Sequence, residues 1–200
     1  GDGLLFDELR RFGEPWGVEP DGRLVDPEGK WAPRIKIAEF GFEGDDDRRH
    51  DLVLMLDSLE HIKDDAAAVR RAASRLKPGG FFFLTVPALP SLWSVHDEAN
   101  LHFRRYTRES LRRVLENAGL RVESIGYYFG WTVLPMYARK LIGGGRTPSA
   151  AADDYHILPP PRPLNAFLLA ATIIEQTLCG RSGTWIGSSL FALARQPEAA

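Results

Sequence analysis

Two apolar runs, residues 51–56 (DLVLML) and 81–86 (FFFLTV), constrain this chain most. Near-continuous hydrophobic hexapeptides are how parallel strands covered on both faces read. Between them, residues 64–76 are Ala-rich with interspersed charges, and Lys77-Pro78-Gly79-Gly80 stops them. That pattern predicts a helix followed by a sharp turn. Strand, helix and strand in this order form a βαβ unit, whose crossover places the helix on a face of a parallel sheet. The expected fold class is therefore α/β, a doubly wound and mostly parallel sheet with helices on both faces.

The rest of the chain follows the same rhythm. Residues 4–12 have helical apolar spacing behind Gly1-Asp2-Gly3, and residues 15–19 form a short strand closed by Pro20-Asp21-Gly22. Residues 34–40 alternate in part and predict another strand, with an acidic loop at 43–47. Thr107 caps a helix to about Ala118, Gly119 ends it, and residues 120–129 predict a further strand. A helical piece at 131–141 leads into a Gly-, Ala- and Pro-rich linker at 143–163. An apolar helix at 165–178 precedes a last strand at 184–194. The 200 residues are expected to form a single domain. Its core would be 1–129, its helical insertion 130–183 and its final strand 184–195.

The 165–178 helix is too short to span a membrane. At ~1.5 Å per residue it reaches about 22 Å against a hydrocarbon core of ~30 Å, and it carries Glu175 and Gln176. It either packs on the sheet or lines a greasy substrate entrance, and peripheral membrane contact is compatible with both. With 25 basic against 27 acidic residues, no basic field points to nucleic acid. One cysteine, Cys179, allows no intrachain disulfide and fits a reducing, cytoplasmic setting.

In open α/β sheets, ligands bind beyond the carboxyl ends of the strands. Gly1, Asp2 and Gly3 would let the backbone approach a ligand there, and Glu19, before Pro20, ends the next strand. A carboxylate so placed can accept hydrogen bonds from both hydroxyls of a ribose. The plain alternative is a helix-opening turn with a solvated glutamate.

Later motifs bear on that choice. Gly1-Asp2-Gly3 resembles the tail of the first motif of class I S-adenosylmethionine-dependent methyltransferases, and Gly-Val-Glu-Pro-Asp at 17–21 resembles their second-strand motif. Residues 51–62 (DLVLMLDSLEHI) are similar to the fourth-strand motif, and Leu76-Lys77-Pro78-Gly79-Gly80 to the turn before the fifth strand. The resemblance covers residues 1–129. It implies S-adenosylmethionine as cofactor, held by Gly1, Asp2, Gly3, Glu19 and Pro20, with Leu56 and Asp57 flanking it. It also implies the strand order 3-2-1-4-5-7-6, with the last strand antiparallel. The first strand and the front of the glycine motif have no counterpart here. About five buried apolar residues contribute roughly 1.5–3 kcal/mol each, comparable to a domain's whole ~5–15 kcal/mol. The native protein is therefore expected to be longer, and this stretch by itself to bind cofactor weakly.

Residues 86–106 (VPALPSLWSVHDEANLHFRRY) follow the fifth strand of that scheme and concentrate Trp93, His96, Asp97, Asn100, His102, Arg104, Arg105 and Tyr106. Loops so rich in polar and aromatic groups serve binding more often than packing. A methyltransferase subgroup carries a similar His-Asp-Glu, then His-x-Arg-Arg-Tyr-Thr, run. The expected acceptor contacts are Trp93, Asp97, Asn100, Arg104, Arg105 and Tyr106, unless Asp97 and Glu98 simply pair with Arg104 and Arg105. His61, His96 and His102 are the candidate bases for an amine or hydroxyl acceptor. No metal site is expected, since His96, Asp97 and His102 share no ligand spacing. The expected activity is methyl transfer to a small-molecule or lipid-like acceptor. A nicotinamide-dependent oxidoreductase and a catalytically inactive scaffold are the rivals.

Overall fold

The computed structural model describes residues 2–38, 48–142, 161–180 and 183–198. The chain divides into two compact units, 1–48 and 49–200. The expected acidic loop at 43–47 and most of the expected linker at 143–163 lie outside the described residues.

In the first unit, α1 (Phe6–Leu9) is a single turn, shorter than the periodicity predicts. Only Phe6 of that stretch reaches a core, while Leu4 and Phe12 are each 86% exposed. Without a buried stripe, short helices are marginal. Phe6 meets Trp31 edge to face at 5.5 Å between ring centroids. β1 (Gly17–Glu19) and β2 (Ile35–Ile37) pair in parallel, Val18 opposite Lys36.

The second unit holds a four-stranded sheet. Its elements are β3 (His50–Leu56), α2 (Asp65–Ser74), β4 (Leu76–Pro87), α3 (Val95–Ala99), α4 (Arg108–Asn117), β5 (Arg121–Tyr128), α5 (Val133–Ile142), α6 (Arg162–Cys179) and β6 (Ser189–Arg195). The strand order is β3-β4-β6-β5, with β3 parallel to β4 and β6 antiparallel to both neighbours. Removing strand 1 from the expected order leaves two fragments, 3-2 and 4-5-7-6. Those are the two sheets observed, so the doubly wound reading and its antiparallel last strand hold.

Two expectations need correction. β3 is not covered on both faces: it is an edge strand of its sheet, Leu52 is 46% exposed, and only Met55 is buried. Its run of apolar residues reflects what the sequence is built for, not what this sheet covers. Lys77-Pro78-Gly79-Gly80 is not a turn outside the sheet but a bulge inside β4. Pairing jumps from His50 opposite Leu76 to Leu52 opposite Phe81, so β4 loops out while β3 advances past Asp51. Gly79 has φ +74°, and a Cβ on Gly80 would sit 2.9 Å from the Lys77 carbonyl oxygen. Only glycine fits both places.

The core lies where α2 and α4 cover the sheet. Val69, Phe82, Leu84, Leu111, Leu115, Leu190 and Ala192 are fully buried. β6 alternates strictly, burying Leu190, Ala192 and Ala194. By contrast α6 buries no residue. It is tied down by Glu175, whose carboxylate accepts N–H bonds from Phe129 (2.5 Å) and Gly130 (2.7 Å) beyond β5. Between α6 and the sheet lies a cavity of about 260 Å³ lined by Phe83, Thr85, Tyr128, Glu175, Cys179 and Phe191. Among the described residues no helix is long and apolar enough to cross a membrane.

α4 shows the predicted cap: Thr107 accepts from the Ser110 N–H at 3.1 Å, and the Ser110 hydroxyl accepts from the Thr107 N–H at 2.9 Å. Thr107→Ala should cost about 1 kcal/mol and lower the thermal midpoint. An unchanged midpoint would mean the reciprocal cap contributes nothing.

Candidate active site

The loops leaving the carboxyl ends of β3 and β4 fold against each other in the second unit. After Leu56, Asp57 takes φ +45°, and its N–H donates to the Thr85 carbonyl (3.0 Å) and hydroxyl (3.1 Å). This reverses the chain into a single 3₁₀ turn, Leu59–His61, with Leu59 and Glu60 inward and His61 exposed. Phe103 from the second loop donates its N–H to the Glu60 carbonyl at 2.8 Å, locking the loops together.

Glu60 is 1% exposed, and its Oε2 has no hydrogen-bond partner among the described residues. Burial pushes its carboxyl up to about 7, helped by repulsion from Asp57 and Asp97 and opposed by Arg105. Desolvation likewise raises Asp57 above the usual carboxylate range. Glu60 lies within the 51–62 stretch, but the sequence alone does not mark it as a site residue. The available signal was a carboxylate immediately after an apolar strand's terminal turn.

In the second loop, Ser94 and Asp97 close a capping box on α3. Asp97 is fully buried and fully used. Its Oδ1 accepts from Arg105 Nε (2.7 Å) and His102 Nδ1 (3.1 Å), and its Oδ2 from the Ser94 N–H (2.9 Å) and hydroxyl (3.3 Å). Burial alone would raise this carboxyl, but the Arg105 guanidinium outweighs it and holds Asp97 below the usual range. An ionised carboxylate only accepts, so Nδ1 of His102 carries a proton, and in the neutral ring the lone pair is on Nε2. The His102 ring meets His61 edge to face at 4.6 Å. Burial, then the neighbouring His102, lowers the pKa of His61.

The other sequence candidates divide. Arg105 Nη1 also donates to the Ala88 carbonyl at 3.0 Å, so this buried arginine fastens the loop to the end of β4. Tyr106 is buried, with its hydroxyl donating to Asp65 at 2.9 Å, and Arg104 pairs with the same carboxylate at 2.7 Å. These side chains brace α2 against the loop. His96 and Asn100 contact each other on α3 (3.2 Å), and Trp93 Nε1 lies 3.4 Å from Glu98. Of the three candidate histidines, the structure brings His61 and His102 together.

In the first unit, Gly3 has φ +80°, and a Cβ there would lie 3.0 Å from Trp31 Cβ. Glu19 ends β1, its Oε1 accepting from the Asp21 N–H at 2.9 Å. Asp2 is exposed, Pro20 follows the strand, and Gly1 lies outside the described residues.

With this geometry in hand, comparison with known proteins defines the class. Residues 1–125 match the methyltransferase domain family, and the chain belongs to that family. It is 29% identical over 150 residues to the ubiquinone biosynthesis O-methyltransferase of Xanthomonas euvesicatoria, covering 62% of this chain and 61% of that relative. The match thus spans less than two thirds of the curated relative's length. Among solved structures, a SAM-dependent methyltransferase from Archaeoglobus fulgidus has a TM-score of 0.56 at 14% identity, covering 96% of this chain and 81% of that one. The [4+2]-cyclase SpnF has a TM-score of 0.58 at 18% identity, covering 98% and 72%. At such identities these structures establish the fold, a class I methyltransferase fold; one of them is named for a cyclisation.

Glu60 makes stability fall with pH. Its folded pKa of about 7 lies above the ordinary value of 4.5, so the folded state holds the extra proton between those values. Unfolding free energy should therefore decline from pH 4.5 to 7, by up to roughly 3 kcal/mol, and stay reduced above. Glu60→Gln should remove that decline and raise the thermal midpoint at pH 8. Parallel pH profiles for the two proteins would refute the assignment.

Proposed function

We propose that this protein transfers a methyl group from S-adenosylmethionine to a hydroxyl oxygen of a small-molecule or lipid-like acceptor. The observation that carries the reading is the His102 imidazole, its Nδ1 held by buried Asp97 and its ring set against His61 at the carboxyl ends of β3 and β4. When bound, the donor supplies an electrophilic methyl on a positively charged sulfur.

The residues present fit that donor. In the first unit, Glu19 ends its strand as a ribose-binding carboxylate should, and Gly3 occupies a position where a side chain would collide. The residue assignments Gly1, Asp2, Pro20, Leu56 and Asp57 stay with the family resemblance. In the second unit, His102 Nε2 withdraws the acceptor's proton, and Asp97 behind the ring offsets the imidazolium charge. A buried anion behind the base also keeps the ring from rotating, so no reorientation is needed during transfer.

An apolar acceptor is supported by the cavity under α6. Thr85 lines it and also bonds the Asp57 N–H, so the cavity adjoins the loop that bears Glu60 and His61. Phe83, Tyr128 and Phe191 give it an aromatic lining suited to a ring or chain. An oxygen acceptor is also what the curated relative's name states for that protein.

The test is calorimetric titration of S-adenosylhomocysteine into the full-length protein, followed by transfer of labelled methyl to phenolic and lipid-like acceptors. Binding should fall about 10- to 100-fold in Glu19→Ala, as for losing charged hydrogen bonds. His102→Ala should lower kcat about 10²- to 10⁴-fold while leaving S-adenosylhomocysteine binding intact. No binding to the wild-type protein would remove methyl transfer and leave an inactive scaffold.

A further inference from the structure

We infer that α5, α6 and Trp185 form a docking face that seats this protein on an anionic lipid surface. The docking stands apart from methyl transfer. Only the use made of it, delivery of a lipid-like acceptor to the cavity under α6, rests on the proposed reaction.

The inference begins with α6. Its half-buried residues Leu168, Ala171, Thr172, Glu175 and Cys179 recur at helical spacing and form one stripe, two of whose members line the cavity. A helix lying on a water-facing surface carries charged residues opposite such a stripe. α6 carries none there. Between Arg162 and Cys179 the single charged residue is Glu175, which sits on the inward stripe and is bonded to the Phe129 and Gly130 N–H groups. The outward residues include Phe167, Leu169, Ile174 and Leu178, from 57% to 80% exposed.

Two neighbouring segments extend this face. Residues 129–132 are where they meet: Glu175 bonds there, α5 starts there, and the Thr132 hydroxyl donates to Ser188 Oγ at 2.7 Å, shortly after Trp185. Trp185 is 95% exposed, and Leu134, Leu141 and Ile142 of α5 are also largely exposed. At its other end α5 is fastened to the 87–106 loop, with Lys140 donating to the Ser91 carbonyl at 2.7 Å. β4 and β5 both run antiparallel to β6, so their carboxyl ends share one rim, and the candidate active site stands on it. Monomeric proteins in water rarely expose so much apolar surface in one region, and where they do it is an interaction site.

Charge selects the occupant. Arg139 and Lys140 lie in the last turn of α5 and Arg162 opens α6, all three exposed, while α5 has no acid and the acid of α6 points inward. Cations flanking exposed apolar side chains match an anionic headgroup layer above acyl chains. Tryptophan is a residue type that settles at that boundary. A second copy of the chain fits less well, because two-fold pairing sets a patch against itself and brings the same cations together. No described helix crosses a membrane, so α6, about 27 Å long, lies in the plane of the interface. A lipid-dissolved acceptor then reaches the cavity, and with it Thr85 and the Asp57 loop, without passing through water.

Vesicle co-sedimentation of the full-length protein is the test. Phosphatidylcholine vesicles with about 30% phosphatidylglycerol should bind it at least about tenfold more tightly than phosphatidylcholine alone, and about 0.5 M salt should remove the difference. Arg139→Glu with Arg162→Glu should weaken anionic-vesicle binding at least about tenfold, and Phe167→Ser with Trp185→Ser by a similar factor. All four side chains are exposed, so unchanged thermal midpoints should accompany the losses. Phe12→Ser, removing an exposed aromatic of the first unit, should bind as wild type. Absent vesicle binding, or equal binding by wild type and both double variants, would overturn the docking face. A lipid-free dimer that Phe167→Ser with Trp185→Ser dissociates would overturn it too, by giving the face to a second copy. S-adenosylhomocysteine titrations on the same samples separate the two claims. Vesicle binding without S-adenosylhomocysteine binding would keep the docking face and remove methyl transfer, and the reverse result would do the opposite.

Discussion

The buried Asp97–Arg105 pair is the interaction on which the rest of the site depends. A charge taken out of water is costly, and the cost is offset only when every lone pair is used. Asp97 meets that condition with four donors: Arg105, His102, and two from Ser94. Arg105 in turn reaches back to the Ala88 carbonyl. One carboxylate thereby joins the end of β4, the start of α3 and the imidazole of His102. Removing either partner would strand the other charge, at a cost of about 3–5 kcal/mol. The long excursion between β4 and α4 would then lose the feature that makes it a site instead of a loop.

The backbone shows where that organisation is concentrated. Asp57, Leu89 and Leu101 all hold positive φ angles, of 45°, 59° and 56°. Such conformations cost non-glycine residues about 1–3 kcal/mol each and persist only where surroundings impose them. All three lie on the two loops that carry Glu60, His61, Asp97 and His102. The same loops carry the buried, partnerless oxygen of Glu60. Strain and unsatisfied polarity thus sit together at the carboxyl ends of β3 and β4, where open α/β sheets place their ligands.

Much of the fold was legible in the sequence because it depends on local patterns. The βαβ unit, the Thr107 cap and the existence of a last strand follow from periodicity and punctuation, while that strand's antiparallel direction came with the family resemblance. Two features were misjudged for physical reasons. Residues 51–56 announce a covered strand, but coverage is a property of neighbours, and β3 is an edge here. The Lys77-Pro78-Gly79-Gly80 signal marks a sharp change of direction, and a bulge answers it as well as a turn does. At the site, the candidates' chemistry was legible but their roles were not. Arg105 and Tyr106 look like ligands for a substrate, yet burial turns them into braces. Glu60 looks like a surface glutamate, and only the fold shows that it is buried.

The claim that most needs a direct test is that buried Asp97 fixes the tautomer of His102. Nitrogen-15 correlation spectra of the imidazole rings at pH 8, in chelator-treated protein, report which ring nitrogen carries the proton. The account predicts a single Nδ1–H tautomer for His102, lost in Asp97→Asn, with His96 unaffected. An Nε2–H tautomer, or free exchange between the two, would contradict it and leave no positioned base.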